Sequence, residues 1–398
     1  MNKPAICGGT PVRREKIFYG HQYIDEQDIQ AVVEVLKSDY LTCGPKIAEA
    51  EKKLCEVTGA KYAVLCSNGT AALHIACLAA GVEPGDEVIT TPITFAASAN
   101  CALYCGAKPV FADINEETYN IDPANVAALT NEKTKAVVAV DFTGQSVELD
   151  KLLAHCKENH LVLIEDGAHV IGTAYNGKKN GSIADMTTLS FHPVKTVTCG
   201  EGGAVLTNNE EYYQKLLLYR AHGITRNETQ MAHESHGPWY YEQIYLGYNY
   251  RITDMQAALL ISQLDKLPLF SARRKEIVKA YDEAFSKLPQ LFVQKEIPES
   301  DTTRHLYILR IKPEKLTIDR KQFFDALGAE NICCNVHYIP TYTFPYYEGL
   351  GYQKGCCPKA EKLYEEMLSL PLYYAMTDED VADVIEAVTK IASYFAKE

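Results

Sequence analysis

The sequence predicts an α/β protein in which helices cover both faces of a mostly parallel sheet, followed by a smaller α/β domain. Between Lys61 and Phe191, short apolar runs alternate with helical segments, and this order is typical of parallel sheets. The runs show no polar alternation, as expected for strands that are buried on both faces. A chain of 398 residues is long enough for one large and one smaller domain.

The chain opens with residues 1–24, which carry Gly, Pro and Arg without clear periodicity. We expect this segment to pack across other parts of the molecule. Asp25 stands where a helix N-cap is expected, because apolar residues follow it at helical spacing. The turn TCGP at 42–45 ends this helix, and a second helix is predicted to follow it. Neither helix carries residues that suggest chemistry.

The large domain is predicted to span residues 25–268. Short length and apolar character identify its strands, which are predicted at 63–66, 87–91, 109–113, 136–141, 161–166 and 186–191.

The small domain is predicted to span residues 269–398. Helical and strand patterns alternate again in this part of the chain. They predict a helix at about 271–288, strands at 305–311 and 332–339, an ordered loop at 340–352 and a last helix at 377–396.

Composition and charge exclude several classes of function. A formal charge of −13 offers no basic surface to nucleic acid, so we expect no nucleic-acid partner. No stretch is long and apolar enough to cross a membrane, and we expect a cytoplasmic protein without a membrane partner. The 13 cysteines are scattered and lack metal-ligand spacing. Reduced thiols therefore explain them better than disulfides or a metal site.

The stretch MTTLSFHPVKTVTCGEGGAV at 186–205 places one lysine, Lys195, in a turn between two apolar runs. Burial between core strands favours a neutral amine, which attacks a carbonyl carbon to give a Schiff base. A surface lysine in a hairpin is the ordinary alternative. Upstream, LVLIEDGAHVIG ends a predicted strand in Asp166, with His169 just beyond it. Such an acid lies where α/β proteins bind ligands, and it could pair with a pyridinium nitrogen.

A possible phosphate site lies at SNGT, residues 67–70, between a predicted strand and a predicted helix. The first amides of the helix, its dipole and the Thr70 hydroxyl attract phosphate, and Gly69 allows a close approach. A plain helix N-cap is the alternative. Phe95 follows another strand end and could stack on a planar ligand, although a single Phe belongs more often to a core.

Six motifs in order make the chain resemble the DegT/DnrJ/EryC1/StrS family of sugar aminotransferases, which use pyridoxal 5'-phosphate (PLP). The resemblance covers nearly the whole chain, including the opening GGTPVR. It implies the fold of type I PLP enzymes, with a mostly parallel seven-stranded sheet in the large domain and a smaller C-terminal α/β domain. The motifs are SNGTAALH at 67–74, PITFAAS at 92–98, EDGAHVIG at 165–172, SFHPVK at 190–195, GEGGAV at 200–205 and GYNYRITDMQAA at 247–258.

The resemblance also implies roles for individual residues. Lys195 would bind the PLP aldehyde and Asp166 would keep the ring nitrogen protonated, so these two are the expected catalytic residues. A related branch carries His in place of this lysine and dehydrates its substrate. Lys195 therefore favours transamination, and His192 occupies a different position of the motif. The other expected contacts are Gly69, Thr70, Ala71, Phe95, His169, Ser190 and Asn249 with the cofactor, and Arg251, His337 and Tyr338 with the substrate.

The same resemblance implies a homodimer with composite active sites, in which the loop with Asn249 reaches the neighbouring subunit's cofactor. Residues 19–45 and GQSVEL at 144–149 look most like the aminotransferases that make UDP-4-amino-4,6-dideoxy-N-acetyl-β-L-altrosamine for pseudaminic acid. Glutamate is then the expected amino donor. The expected acceptor is a nucleotide-linked 4-keto-6-deoxy sugar, UDP-2-acetamido-2,6-dideoxy-β-L-arabino-hex-4-ulose.

Three alternatives stay open at this point. The first is an aminotransferase for a different 3- or 4-keto nucleotide sugar. The second is a non-catalytic PLP-binding regulatory protein, against which the combination of Lys195, Asp166 and the phosphate motif argues. The third is a metal hydrolase that uses His222, His233 and His236, for which no metal-ligand spacing is found.

Overall fold

The computed structural model describes residues 3–397. Their helices are α1 Glu26–Leu36, α2 Pro45–Thr58, α3 Gly69–Ala79, α4 Ala97–Tyr104, α5 Pro123–Leu129, α6 Leu149–Glu158, α7 Glu210–Arg220, α8 Asp254–Asp265, α9 Leu267–Phe285, α10 Arg320–Ala329, α11 Pro345–Gly349, α12 Pro358–Glu366 and α13 Asp378–Tyr394. Their strands are β1 Ile17–Phe18, β2 Tyr62–Cys66, β3 Glu87–Thr90, β4 Lys108–Phe111, β5 Thr134–Val140, β6 Val162–Asp166, β7 Ala174–Tyr175, β8 Lys178–Lys179, β9 Met186–Ser190, β10 Gly203–Thr207, β11 Ile224–Thr225, β12 Glu242–Gln243, β13 Leu291–Val293, β14 Ser300–Asp301, β15 Tyr307–Ile311, β16 Ile332–Cys333 and β17 Met367–Leu370.

A seven-stranded sheet organises the first part of the chain, in the order β2-β10-β9-β6-β5-β3-β4. Strand β10 is antiparallel to both of its neighbours, and the other pairs are parallel. The carboxyl ends of β2, β3, β6 and β9 therefore meet at one edge of the sheet. The predicted α/β fold with a mostly parallel seven-stranded sheet is confirmed.

Helices cover both faces of this sheet because neighbouring strand residues point to opposite sides. Val64 packs with α3, α4 and α7 on one face, in a core that contains Ile75 and Leu216. Its neighbour Leu65 packs with α2 and α8 on the other face, around Leu54 and Leu260. Helices α5 and α6 cover the rest of that second face. Helices therefore shield both faces of the sheet from water, as expected for strands that are apolar on both sides.

The C-terminal part has its own core around the antiparallel sheet β13-β15-β17, against which α9, α10 and α13 pack. Helix α9 joins two cores: Leu267 and Phe270 belong to the core of the large sheet, and Tyr281 and Phe285 belong to the second core. The helix therefore begins several residues before the predicted position. The exact division into domains at residues 268 and 269 stays a prediction.

Two sequence predictions in this part are wrong. The strand predicted at 332–339 is reduced to β16, which pairs in parallel with β1 from the N-terminal segment. The rest of it forms no regular strand: Asn335 makes an isolated antiparallel bridge with Ser369 of β17, and His337 and Tyr338 then reach the cavity described below. The loop predicted at 340–352 contains the short helix α11. Proline at the first position of that helix favours its start.

No helix among residues 3–397 combines the length and the apolar character of a membrane span.

Glu330 ties the N-terminal segment to the C-terminal core. Its carboxylate is fully buried and accepts hydrogen bonds from the Ala5 and Val12 backbone N–H groups, each at 2.8 Å. It also accepts one from Lys390 Nζ at 3.0 Å, and the Lys390 side chain is itself buried. Removing this carboxylate would leave a buried ammonium without its partner, which is the costly way to break an ion pair.

We therefore expect Glu330→Ala to lower the free energy of unfolding by about 3–5 kcal/mol. The free energy of unfolding is measured by urea denaturation, followed by circular dichroism. Glu314→Ala is the matched control, because Glu314 is exposed and its loss should change stability by less than about 0.5 kcal/mol. Equal effects of the two substitutions would contradict the assignment.

Candidate active site

A cavity of about 710 Å³ lies at the edge of the sheet where β2, β3, β6 and β9 end. Because these ends come from separate parts of the sequence, the sheet brings together residues up to about 130 positions apart. Ten of the predicted residues line the cavity: Gly69, Thr70, Ala71, Phe95, Asp166, His169, Ser190, Lys195, His337 and Tyr338.

One end of the cavity is formed by the start of α3. Asn68 is the N-cap, and its side chain accepts a hydrogen bond from the Ala71 N–H at 2.8 Å. The amides of Gly69 and Thr70 precede any partner within the helix. A phosphate at this helix start would therefore meet these two amides and the hydroxyls of Thr70 and Ser190. The Ala71 N–H, which was also expected to contact the cofactor, already donates its hydrogen bond to Asn68.

Two glycines allow this end of the cavity to close tightly. A Cβ at Gly69 would lie 3.0 Å from the Ser190 Cβ, and a Cβ at Gly203 would lie 2.3 Å from the Asn68 carbonyl oxygen. Strand β10 therefore passes directly beneath the helix start only because residue 203 has no side chain. Of the glycines in the GEGGAV motif after Lys195, Gly203 thus serves the neighbouring 67–70 motif.

Lys195 lies in the turn between β9 and β10, where its backbone N–H donates to the His192 carbonyl at 2.9 Å. Surrounding protein atoms desolvate its amine and lower the pKa of Lys195 to about 8, and the Asp166 carboxylate acts in the opposite direction. A lysine with this pKa is partly neutral near pH 7, which a nucleophilic or basic amine requires.

Asp166 ends β6 and is 5 % exposed. Its carboxylate accepts from the Ser98 hydroxyl at 2.6 Å and from the Ala168 N–H at 3.2 Å. Burial raises the pKa of Asp166, whereas these hydrogen bonds and Lys195 lower it. The adjacent Glu165 lies on the other face of the strand, bonded to Asn180 at 2.6 Å. Of the two neighbouring acids, only Asp166 lines the cavity.

His169 and two residues of the 332–339 segment form the opposite wall. The His169 Nε2 lies 3.4 Å from the Tyr338 hydroxyl, while its buried Nδ1 has no hydrogen-bond partner among the described residues. Burial holds the pKa of His169 well below its usual value, so the ring is neutral. His337 is bonded through Nδ1 to the Ser369 hydroxyl at 2.8 Å, and burial lowers its pKa to about 4.

Phe95 has an unusual environment for a large apolar residue, since 63 % of it is exposed at the cavity wall. Its ring centroid lies 6.4 Å from that of Tyr338. An aromatic face left open inside a cavity is suited to stacking on a planar ligand.

Asn249 and Arg251 do not line the cavity of their own chain. Asn249 is exposed and forms an isolated bridge with Ala221. The residue between them, Tyr250, does line the cavity, and its carbonyl accepts from the Ser67 N–H at 2.8 Å. The loop therefore lies next to the phosphate motif but directs Asn249 elsewhere.

Several residues of the cavity wall were not predicted as site residues. Ser98 and His192 lie inside quoted motifs, so their motif membership was the available signal. Tyr19 comes from the N-terminal segment, and its ring lies tilted against that of His337, with centroids 5.1 Å apart. No local sequence pattern predicts its place in the cavity. The unpredicted residues with polar side chains include Tyr19, Asn68, Thr94, Ser98, Tyr104, Thr188, His192, Glu201 and Tyr250.

The histidines proposed for a metal hydrolase do not form a metal centre. Among residues 3–397, no group of three or more His, Cys, Asp or Glu has a geometry that could hold a metal ion. His233 is instead paired with Glu242, with Nδ1 and Oε1 2.9 Å apart.

Comparison with known proteins identifies the family. Residues 22–389 match the DegT/DnrJ/EryC1/StrS aminotransferase family. The chain is 42 % identical to the spore coat polysaccharide biosynthesis protein SpsC of Bacillus subtilis, over 94 % of this chain and 96 % of that protein. It is 39 % identical to the UDP-4-amino-4,6-dideoxy-N-acetyl-β-L-altrosamine transaminase of Campylobacter jejuni, over 94 % and 97 % of the two chains.

The fold is also that of a solved relative. The Helicobacter pylori aminotransferase PseC, involved in the biosynthesis of pseudoaminic acid, superposes with a TM-score of 0.88 and 33 % identity over 96 % of this chain and 100 % of that one. Aminotransferases of this family depend on PLP, so the predicted cofactor is confirmed.

The residues present around the cavity fit that cofactor. The start of α3 offers free amides to a phosphate, Phe95 offers an open aromatic face, and the buried Nδ1 of His169 lacks a partner. Asp166 is a buried acid beside a partly neutral lysine. With a matching family, fold and cavity, the chain belongs to the DegT/DnrJ/EryC1/StrS aminotransferase family and is a PLP-dependent sugar aminotransferase.

Proposed function

We propose that this protein transfers the amino group of glutamate to C4 of UDP-2-acetamido-2,6-dideoxy-β-L-arabino-hex-4-ulose, giving a 4-amino sugar nucleotide for a pseudaminic-acid-type glycan. The observation that carries the aminotransferase chemistry is the placement of Lys195 and Asp166 beside the α3 start in one cavity. The substrate is supported by the 39 % identity to a transaminase named for the corresponding sugar.

In this proposal the start of α3 anchors the cofactor. The amides of Gly69 and Thr70 and the hydroxyls of Thr70 and Ser190 would bind its phosphate, with the helix dipole favouring the negative charge. Phe95 would supply an aromatic face for its ring, and the neutral His169 would supply a hydrogen-bonding nitrogen for its phenolic oxygen. When bound, PLP supplies an electron sink for the electron pair left by loss of a Cα proton.

Lys195 and Asp166 divide the proton chemistry. Lys195 would hold the cofactor through its aldehyde, and its free amine would remove and return a proton of the bound amino donor. A pKa of about 8 suits a base that works near neutral pH, since both of its forms are populated there. The Asp166 carboxylate would hold a proton on the ring nitrogen, and its burial would keep water from that contact.

Substrate contacts come from outside the sheet edge. His337 and Tyr338 present a neutral imidazole and a phenol at the cavity wall, which are suited to sugar hydroxyl and acetamido groups. Arg251 would bind the nucleotide phosphates. Because Asn249 and Arg251 lie outside their own chain's cavity, we place them in the site of a second subunit and propose a homodimer with composite active sites.

We also propose a cytoplasmic location. All 13 cysteines are unpaired in the structure, which agrees with a reducing compartment.

A second candidate is transamination of a different 3- or 4-keto nucleotide sugar. It is favoured by the 42 % identity to a protein named for spore coat polysaccharide biosynthesis.

A substrate panel tests the function. The purified enzyme is incubated with glutamate and UDP- or dTDP-linked 3-keto and 4-keto sugars, and product masses are measured with and without ¹⁵N-glutamate. We expect ¹⁵N to enter the UDP-linked 4-keto-6-deoxy sugar, with loss of all turnover in Lys195→Ala. Preference for a 3-keto or dTDP-linked sugar would support the second candidate, and no transfer to any sugar would contradict both.

The pKa of Lys195 gives a pH-dependent prediction. In cofactor-free protein, labelling of Lys195 by trinitrobenzenesulfonate, read by peptide mass spectrometry, should rise with pH through about 8, whereas an ordinary lysine titrates near 10.4. Asp166 favours the charged amine, so Asp166→Asn should move the midpoint to lower pH. A midpoint above 10 in the wild-type protein would show that the amine is not desolvated.

Mixing of subunits tests the composite site. If Asn249 serves the neighbouring subunit, inactive Lys195→Ala and Asn249→Ala homodimers should regain about a quarter of wild-type activity after subunit exchange, because half of the dimers are then mixed and each has one intact site. Activity that stays at the sum of the two parents would place Asn249 in its own subunit's site.

A chain that carries both substitutions tests the same point in the opposite direction, because activity below one half requires both subunit exchange and a composite site. Mixed in equal amounts with wild-type chains, it should leave about a quarter of the activity if the site is composite and about half if it is not.

A further inference from the structure

Two buried hydroxyl groups lead to the carboxylate of Asp166. The Ser98 Oγ lies 2.6 Å from Asp166 Oδ2, and the Thr94 Oγ1 lies 2.7 Å from Ser98 Oγ. Ser98 and Thr94 are 1 % and 3 % exposed, so bulk water has little access to either bond. Among residues 3–397, the side-chain hydrogen bond to this carboxylate comes from Ser98.

The two hydrogen bonds both point toward Asp166. An ionised carboxylate only accepts hydrogen bonds, so Ser98 must donate its single proton to Asp166. The Ser98 oxygen then has only lone pairs left, and the Thr94 hydroxyl must donate to it. Donation along this line polarises the Ser98 hydroxyl and stabilises the negative form of the acid.

Rigid elements hold both hydroxyls in place. Ser98 lies in the first turn of α4. The backbone just before Thr94 is fixed from the C-terminal part of the chain, where the Thr341 N–H donates to the Pro92 carbonyl at 3.0 Å. The direction of the Ser98 bond is therefore set before any ligand binds, which is the requirement for a preorganised site.

Other groups around Asp166 act in both directions. Burial raises its pKa, while the Lys195 amine, the Ala168 N–H and Ser98 lower it, Ser98 most of the three. Asp141, directly after the neighbouring strand β5, is a further buried acid, and Asp166 contributes to raising the pKa of Asp141 and of Tyr338. His169 is neutral. Ser98 is thus the group that opposes the effect of burial on Asp166 most strongly.

We propose that Ser98, supported by Thr94, is a positioning residue of the transamination reaction that keeps Asp166 ionised and aimed at the ring nitrogen of PLP. The proton between Asp166 and that nitrogen stays on the nitrogen only while the ionised form of Asp166 is more stable than its protonated form. Without the Ser98 hydroxyl the proton moves toward Asp166, and the electron-withdrawing form of the ring is lost. This inference rests on the role proposed above for Asp166.

The test compares two ligands that differ at one atom. Dissociation constants are measured by equilibrium dialysis of the full chain with PLP and with 1-deaza-PLP, in which C–H replaces the ring nitrogen. The ratio of the second constant to the first reports how strongly the protein favours a protonated ring nitrogen. In Ser98→Ala we expect this ratio to fall about tenfold, the effect of one charge-assisted hydrogen bond.

Two further variants separate the hydroxyl from the packing. Ser98→Thr keeps a hydroxyl and should hold the ratio within about twofold of wild type, whereas Thr94→Val should lower it less than Ser98→Ala does. Thr90→Val is the matched control, because the buried Thr90 hydroxyl donates to the Val138 carbonyl at 2.9 Å and not to Asp166. Its ratio should equal that of wild type.

Equal weakening of both ligands by Ser98→Ala would show a merely structural role and overturn the inference. Asp166→Asn serves as the reference. A ratio that collapses in Asp166→Asn but not in Ser98→Ala overturns this inference alone. A ratio unchanged in Asp166→Asn overturns the role of Asp166 as well. Should Ser98→Ala fail to fold, an unchanged ratio in Thr94→Val overturns the inference and a lowered one supports it.

Discussion

Two opposite charges that line the same cavity, on Lys195 and Asp166, constrain the rest of it. Taking an ammonium or a carboxylate out of water is costly, and an opposite charge nearby reduces that cost. Burial lowers the pKa of Lys195 and raises that of Asp166, and their mutual attraction opposes both shifts. The result is an amine that is partly neutral near pH 7 beside an acid with its own hydrogen-bond donors. Both properties are needed for proton transfer on a bound ring.

The sheet order makes this pairing geometrically possible. Strands β6 and β9 are parallel neighbours, so the turn with Lys195 follows the strand next to the one that Asp166 ends. The 67–70 motif lies two strands beyond β9, after β2, and β10 runs between β9 and β2 in the opposite direction. The helix start can approach only because Gly203, the first residue of β10, has no side chain to meet Asn68. One reversed strand and one glycine thus set the distance between amine and phosphate site.

The sequence was informative where function lies in short contiguous stretches at strand ends. Lys195, Asp166 and the 67–70 motif each follow an apolar run, and the parallel strand pattern implies that such ends meet at one edge. Local sequence patterns could not predict the position of Tyr19, which reaches the cavity because β1 pairs with β16 from the distant 332–339 segment. The strand predicted at 332–339 is shorter than expected, because sequence periodicity does not reveal how many residues of a partner strand are available for pairing. Nor could they predict that the Ala71 N–H donates to the Asn68 side chain, because this hydrogen bond depends on the rotamer of Asn68.

The cavity is therefore built from two kinds of structure with different tolerance to change. Its cofactor side rests on the ends of four strands in a sheet that is buried on both faces, where a shift of one strand would disturb both cores. Another part of its wall is completed by Tyr19, His337 and Tyr338, which come from the N-terminal segment and the C-terminal part of the chain. Among residues 3–397, these segments contribute no strand to the large sheet and can vary without disturbing it. The strand ends are therefore the constrained part of the cavity, and the wall with Tyr19, His337 and Tyr338 is the part that can change most easily.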